Sequence, residues 1–162
     1  MYEFYRWIEY ALTQSSDSSL KFVIKEHPAD LHKYSDLYYK NPRIAFSYWN
    51  TKELIEKSQT VVTINSSVWL EPLLLHKLVI VLGEACFGIE GLSHQLSSMK
   101  ELSVTVNKLS SSQPDVVLIE QFLYYLGRES CVPGSWKNPN PAHIGALIER
   151  ITVLIEPSNV GW

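Results

Sequence analysis

At 162 residues, 46% apolar and 12% aromatic, with a formal net charge of −3, the chain is sized for a globular fold that buries roughly 70% of its unfolded surface, which excludes a disordered or fibrous polypeptide. The acidic balance argues against nucleic acid as a partner. Cys86 and Cys131 belong to no CxxC or Cys/His pattern, so they are expected to be reduced thiols with no structural zinc.

In chain order, Phe4, Trp7, Ile8, Ala11 and Leu12 form an i, i+3, i+4 stripe that predicts an amphipathic helix. Ser15-Ser16-Asp17-Ser18-Ser19 breaks it, and the nearly continuous apolar run Leu20 to Ile24 predicts a strand buried on both faces, stopped at His27 and Pro28. A polar segment, Asp30 to Lys40, leads to a short strand at Arg43 to Phe46. Asn50 or Thr51 is placed to cap a helix from Lys52 to Ser58, with Glu53 and Lys57 as an i, i+4 pair. Thr60 to Ile64 predicts a third strand, the segment after Ser67 a helix, Leu78 to Leu82 a fourth strand ending on Gly83, and Leu102 to Val106 a fifth. Helices are expected at Pro114 to Leu126 and Ala142 to Ile151, separated by a Pro, Gly and Asn-rich loop. The alternation predicts an α/β, Rossmann-like three-layer parallel sheet with helices on both faces over residues 1–110. Residues 111–162 are expected as a helical segment packed on the same domain.

Membrane insertion is not expected: no apolar run approaches the roughly 20 residues that span a bilayer, and Met1-Tyr2-Glu3-Phe4 lacks a basic, signal-type start. A cytoplasmic chain, at most peripheral to the inner membrane, is the expectation.

In open parallel sheets, ligands gather beyond the carboxyl ends of strands, where the next helix offers unpaired N–H groups. Two segments fit. Lys25 and His27, spaced to share one side of a strand, carry groups that bind phosphate, although Lys25-Glu26-His27-Pro28 also reads as a polar strand exit. Asn65, Ser66 and Ser67 bring three polar side chains to the next candidate site, and either serine serves equally well as a helix cap. Glu71, four residues on, is placed to accept from a ribose diol or to face solvent. Gly83 admits either a close backbone approach or a sharp turn. Tyr38-Tyr39, Tyr48-Trp49 and the run Phe122 to Leu126 have the chemistry to stack on a base or sugar, with packing the expectation for most. There is no GxGxxG, GxxxxGK[ST], HExxH or GxSxG motif, and His32, His76, His94 and His143 take no role.

Lys25-x-His27-Pro28, Asn65-Ser66-Ser67-x-x-x-Glu71, Val79-Ile80-Val81-Leu82-Gly83 and Phe87-x-x-x-Gly91-Leu92 together resemble the capsule polysaccharide biosynthesis proteins, the bacterial β-Kdo glycosyltransferases. The resemblance covers roughly Phe4 to Leu92. It implies the Rossmann-like C-terminal half of a GT-B fold that binds a CMP-activated sugar, CMP-Kdo above all, without a metal or other cofactor. Bacterial sialyltransferases carry similar His-Pro and Ser-Ser motifs. By resemblance His27, Ser66 and Ser67 contact the CMP phosphate, Pro28 lies near the cytosine, Lys25 adds charge, and Glu71 matches the glutamate after the serine pair. The family's catalytic base belongs to an acceptor-binding half, so this chain is expected to bind rather than catalyse alone. A separate acceptor-binding chain, or polysaccharide assembly machinery at the inner membrane, is the expected partner.

The chain departs from the pattern at Trp69, Pro72, His76 and Leu78, where the family usually has small residues. A helix capped at Ser67 puts Pro72 in its interior. A helix starting at Pro72 withdraws its N-terminus from the phosphate site. Alternatives remain a UDP-sugar module, for which Ser66-Ser67-Val68 and a single Glu71 are poor matches, a decayed fragment, and a non-catalytic docking domain using the C-terminal aromatic run.

Overall fold

The stripe from Phe4 to Leu12 can be buried on one side only if its segment coils at about 3.6 residues per turn. In the computed structural model Tyr2–Gln14 is helix α1, with Tyr5, Ile8, Ala11 and Leu12 buried. The structure describes residues 1–27, 30–64, 67–83, 88–109, 111–135 and 137–155. Near the end of α1 the Leu12 carbonyl accepts from the Arg43 guanidinium at 2.6 Å, a cation at the negative end of the helix dipole.

Strand β1 (Phe22–Ile24) pairs in parallel with β2 (Ile44–Phe46), Phe22 opposite Ile44 and Ile24 opposite Phe46. A second parallel sheet has the order β3 (Thr60–Thr63), β4 (Leu78–Leu82), β5 (His94–Leu96). Central β4 is buried along its whole length, as a parallel strand covered on both faces must be. Leu78, Ile80 and Leu82 pack with Leu96 against Ala11 of α1 and against Leu102, Val106 and Leu109 of α4 (Met99–Leu109). Val79 and Val81, alternating with that set, turn to the other face. There α3 (Leu70–Leu74) contacts β4 and α2 (Thr51–Lys57), burying Leu73 and Ile55. The fold is therefore α/β and Rossmann-like, with parallel strands flanked by helices.

Three local expectations are corrected. The strand read at Leu20 to Ile24 is covered on one face only, with Val23 55% exposed, because the two-stranded β1–β2 sheet has α1 on one side. The strand read at Leu102 to Val106 is part of α4: Val104, Thr105 and Val106 favour strand, but the residues that can be buried, Leu102, Val106 and Leu109, recur at helical spacing. Asn50 does cap α2, its Oδ1 accepting from the Lys52 N–H at 2.8 Å, yet the Glu53–Lys57 pair does not form. The Lys57 ammonium lies 4.1 Å from the Trp49 ring centroid instead, and the ion pair on α2 is Lys52–Glu56 at 3.9 Å.

The chain divides into two compact units, Met1–Ile119 and Glu120–Trp162. In the second, the end of α5 (Val116–Tyr125) runs into a π-helical turn at Leu126–Ser130, and α6 (Pro141–Ile155) follows. Asn140 Oδ1 caps α6 through the His143 N–H at 2.9 Å. The buried His143 ring sits 2.8 Å from the Pro133 carbonyl. Among the described residues no helix is long and apolar enough to cross a membrane.

Candidate functional site

Parallel pairing brings the carboxyl ends of β1 and β2 to one edge, where the Ser47 N–H donates to the Ile24 carbonyl at 2.9 Å. Lys25, Glu26 and His27 leave β1 at this edge, and Ser47, Tyr48 and Trp49 leave β2. The Lys25 ammonium donates to the Trp49 carbonyl at 2.7 Å, so one exit segment is tied to the other. His27 is exposed, and its carbonyl accepts from the Asp30 N–H at 2.9 Å.

The chain beyond His27 is anchored back on α1. Asp30 accepts from the His32 N–H at 2.9 Å and the Tyr34 hydroxyl at 3.0 Å, bonds that hold its carboxyl below the ordinary aspartate range, the His32 amide contributing most. Tyr34 is buried among Tyr5, Ile8, Leu37 and Ile44 and stacks edge-on with Tyr2 at 5.5 Å.

Beside the Lys25 exit, Tyr38 joins Glu26 and Tyr48. Its hydroxyl lies 2.9 Å from that of Tyr48 and 3.2 Å from Glu26 Oε2. The bond to Tyr48, then burial, then the Glu26 carboxylate push its ionisation well above the ordinary tyrosine value.

At the end of β3, Thr63 is buried and Ile64 is 55% exposed. A 3-10 turn, Ser67–Trp69, then passes into α3. This joint settles the place of Pro72. Neither of the two arrangements expected from sequence occurs: Pro72 is the third residue of α3, in its first turn, where the absent N–H has no α-helical partner to lose. Its ring is buried, and its carbonyl accepts from the Lys77 N–H at 2.8 Å. The helical turn consequently still begins at Ser67. Glu71 is on α3 and exposed.

Of the residues singled out from sequence, Lys25 and His27 are on the exit of β1, Ser67 opens the turn after β3 and Glu71 is on α3, whereas Pro28, Asn65 and Ser66 lie outside the described residues, as do Cys86 and Phe87. The bonds that join Tyr38 to Glu26 and Tyr48, and the Lys57–Trp49 contact, were not anticipated. Tyr48 and Trp49, read from sequence among the aromatics able to stack on a base or sugar with packing expected for most of them, are 78% and 54% exposed. Their position, directly after a strand and directly before a helix cap, was the available signal.

The family model described as capsule polysaccharide biosynthesis protein matches residues 7–135. The chain belongs to this family. The match runs past the span from Phe4 to Leu92 over which the motifs were legible, and takes in β5, α4 and α5. Among curated proteins, this capsule-family chain is similar to Protein FixF of Sinorhizobium fredii (strain NBRC 101917 / NGR234), at 37% identity over 150 residues, 92% of this chain and 37% of that protein. The chain thus spans little more than a third of the length of its relative. No solved structure matches.

Proposed function

We propose that the chain is the donor-nucleotide-binding half of a glycosyltransferase of capsule or surface polysaccharide synthesis, taking a CMP-activated sugar with CMP-Kdo as the expected donor. The supporting observation is that, in a member of the capsule family, the Lys25–His27 segment leaves the carboxyl end of a parallel strand and a helical turn beginning at Ser67 follows another, the positions where such sheets bind phosphates.

As the glycosidic bond breaks, negative charge grows on the departing phosphate. Donors at His27, Ser66, Ser67 and the N–H groups of the turn would stabilise that charge, with Lys25 adding to the field. Glu71 would accept from the ribose diol and Pro28 would border the base. In this reading no metal takes part, and the base that deprotonates the acceptor hydroxyl comes from outside these 162 residues.

The test is calorimetric titration with CMP and with UDP in the presence of a chelator, repeated on His27→Ala. Binding of CMP in preference to UDP is expected. Loss of a charge-assisted contact of about 1.5–3 kcal/mol weakens CMP by roughly 10- to 100-fold. A docking module is the second reading, favoured by the exposed Ile144, Leu147, Ile148 and Ile151 of α6. Failure of both nucleotides to bind would leave that reading standing.

A further inference from the structure

Exposed tryptophan is unusual, because its large apolar surface normally goes to the core or to a partner. Trp49 is 54% exposed and Tyr48 78%, although the core of this unit accommodates rings as large as Tyr5 and Tyr34. Trp49 is also held in place. Its carbonyl takes the Lys25 ammonium at 2.7 Å, its N–H donates to Ser47 Oγ at 3.2 Å, and the next residue, Asn50, caps α2. The indole therefore stands on a constrained backbone at the strand edge that also carries His27. The Lys57 ammonium covers one face of the ring at 4.1 Å from its centroid, which shows that the indole takes a cation on its π face, and a ligand ring stacks on the opposite face or displaces this flexible lysine.

We propose that Trp49 is the stacking platform for the nucleobase of the bound nucleotide. The inference rests on the proposed donor-nucleotide function and assigns within it a residue that the sequence motifs leave out. A planar heteroaromatic ring is the partner that such a face takes best, and every base has one. The cations Lys25 and Lys57 beside it suit a base that carries a phosphate rather than a neutral sugar or an apolar peptide. Tyr48, fixed through Tyr38 and Glu26, forms the flank of the platform.

The experiment is CMP titration of the intact chain, Trp49→Ala and Trp49→Phe, by calorimetry and by tryptophan emission, with circular dichroism confirming that each variant is folded. Stacking predicts that Trp49→Ala weakens CMP by roughly tenfold or more. Trp49→Phe should stay within about threefold by calorimetry, since a smaller ring still stacks, while losing most of the emission quench that CMP causes in the parent chain. CMP affinity left unchanged in folded Trp49→Ala, with His27→Ala still weakening CMP by roughly 10- to 100-fold, would overturn the platform and leave the nucleotide function intact. Absence of CMP binding to the parent chain would overturn both.

Discussion

Two glycines with the same backbone angle separate conformational need from steric need. Gly83, after β4, and Gly91 both have φ +84°, a region where a Cβ collides with the chain's own carbonyl at a cost of about 1–2 kcal/mol. A Cβ at Gly83 would meet nothing within 4 Å among the described residues, whereas one at Gly91 would lie 2.6 Å from Leu118 Cδ2. Gly83→Ala should therefore lose only the backbone cost, about 1 kcal/mol, and Gly91→Ala measurably more, because the α5 side chain must also move. Urea denaturation of both variants decides it, and equal losses would show that Leu118 yields freely. Gly83, open to a ligand or a turn when read from sequence, bends with positive φ at the end of β4 and extends the β4–β5 pairing, its N–H donating to the Leu96 carbonyl at 2.8 Å.

At the scale of elements, α4 is started by acceptors that only an ionised carboxylate fully supplies. Glu101 Oε2 accepts from the Ser97 N–H at 2.7 Å, and Ser98 Oγ accepts from the Glu101 N–H at 3.2 Å, a variant of the capping box. The Ser97 amide is the main cause that holds the Glu101 carboxyl below its ordinary value of 4.5. A carboxyl whose folded value is depressed contributes stability above its unfolded value and loses it as pH falls through the folded one. Glu101→Gln should therefore be less stable than the parent at pH 7, with the gap closing as pH drops below about 4.5. Parallel denaturation profiles at neutral and acid pH would rule out the cap as its source. Elements with strong, unopposed patterns were legible in the sequence: α1 through its stripe, β4 through its continuous apolar run, α2 through Asn50. Where two signals competed, tertiary contacts decided. Burial of Leu102, Val106 and Leu109 overrode the β-branched run in α4, and the Trp49 ring took Lys57 from Glu53. The strand exits at Lys25 and Ser67 could be read because strand termination is local, but Tyr38, Glu26 and Tyr48 meet across 12 and 10 residues, a distance no periodicity encodes.

For the first unit as a whole, the question is what keeps a sheet of two three-residue strands in place, since an isolated pair of that length is not stable in water. The answer is α1. Tyr5, Ile8 and Leu12 pack with Ile24, Ile44, Tyr34 and Leu37, while Ala11 of the same helix joins the cluster of β4, β5 and α4. Phe4, Leu20 and Phe22 touch both clusters. Ser15 Oγ, just past α1, is 2.7 Å from Asn107 Oδ1 of α4. One helix thus couples the sheet bearing Lys25, His27 and Trp49 to the sheet that leads into Ser67. Ile8 is 1% exposed, and Ile8→Ala should cost about 2–5 kcal/mol through lost transfer energy and a residual cavity. If α1 makes the two sheets one cooperative unit, amide exchange at Ile24 and Ser47, whose N–H donates to the Ile24 carbonyl, should accelerate by the same factor as at Ile80, the signature of global opening. Faster exchange at Ile24 and Ser47 with Ile80 still protected would instead mean that β1 and β2 open by themselves. The segments proposed to hold the nucleotide would then be the least stable part of the unit, and CMP at saturating concentration should restore protection there first.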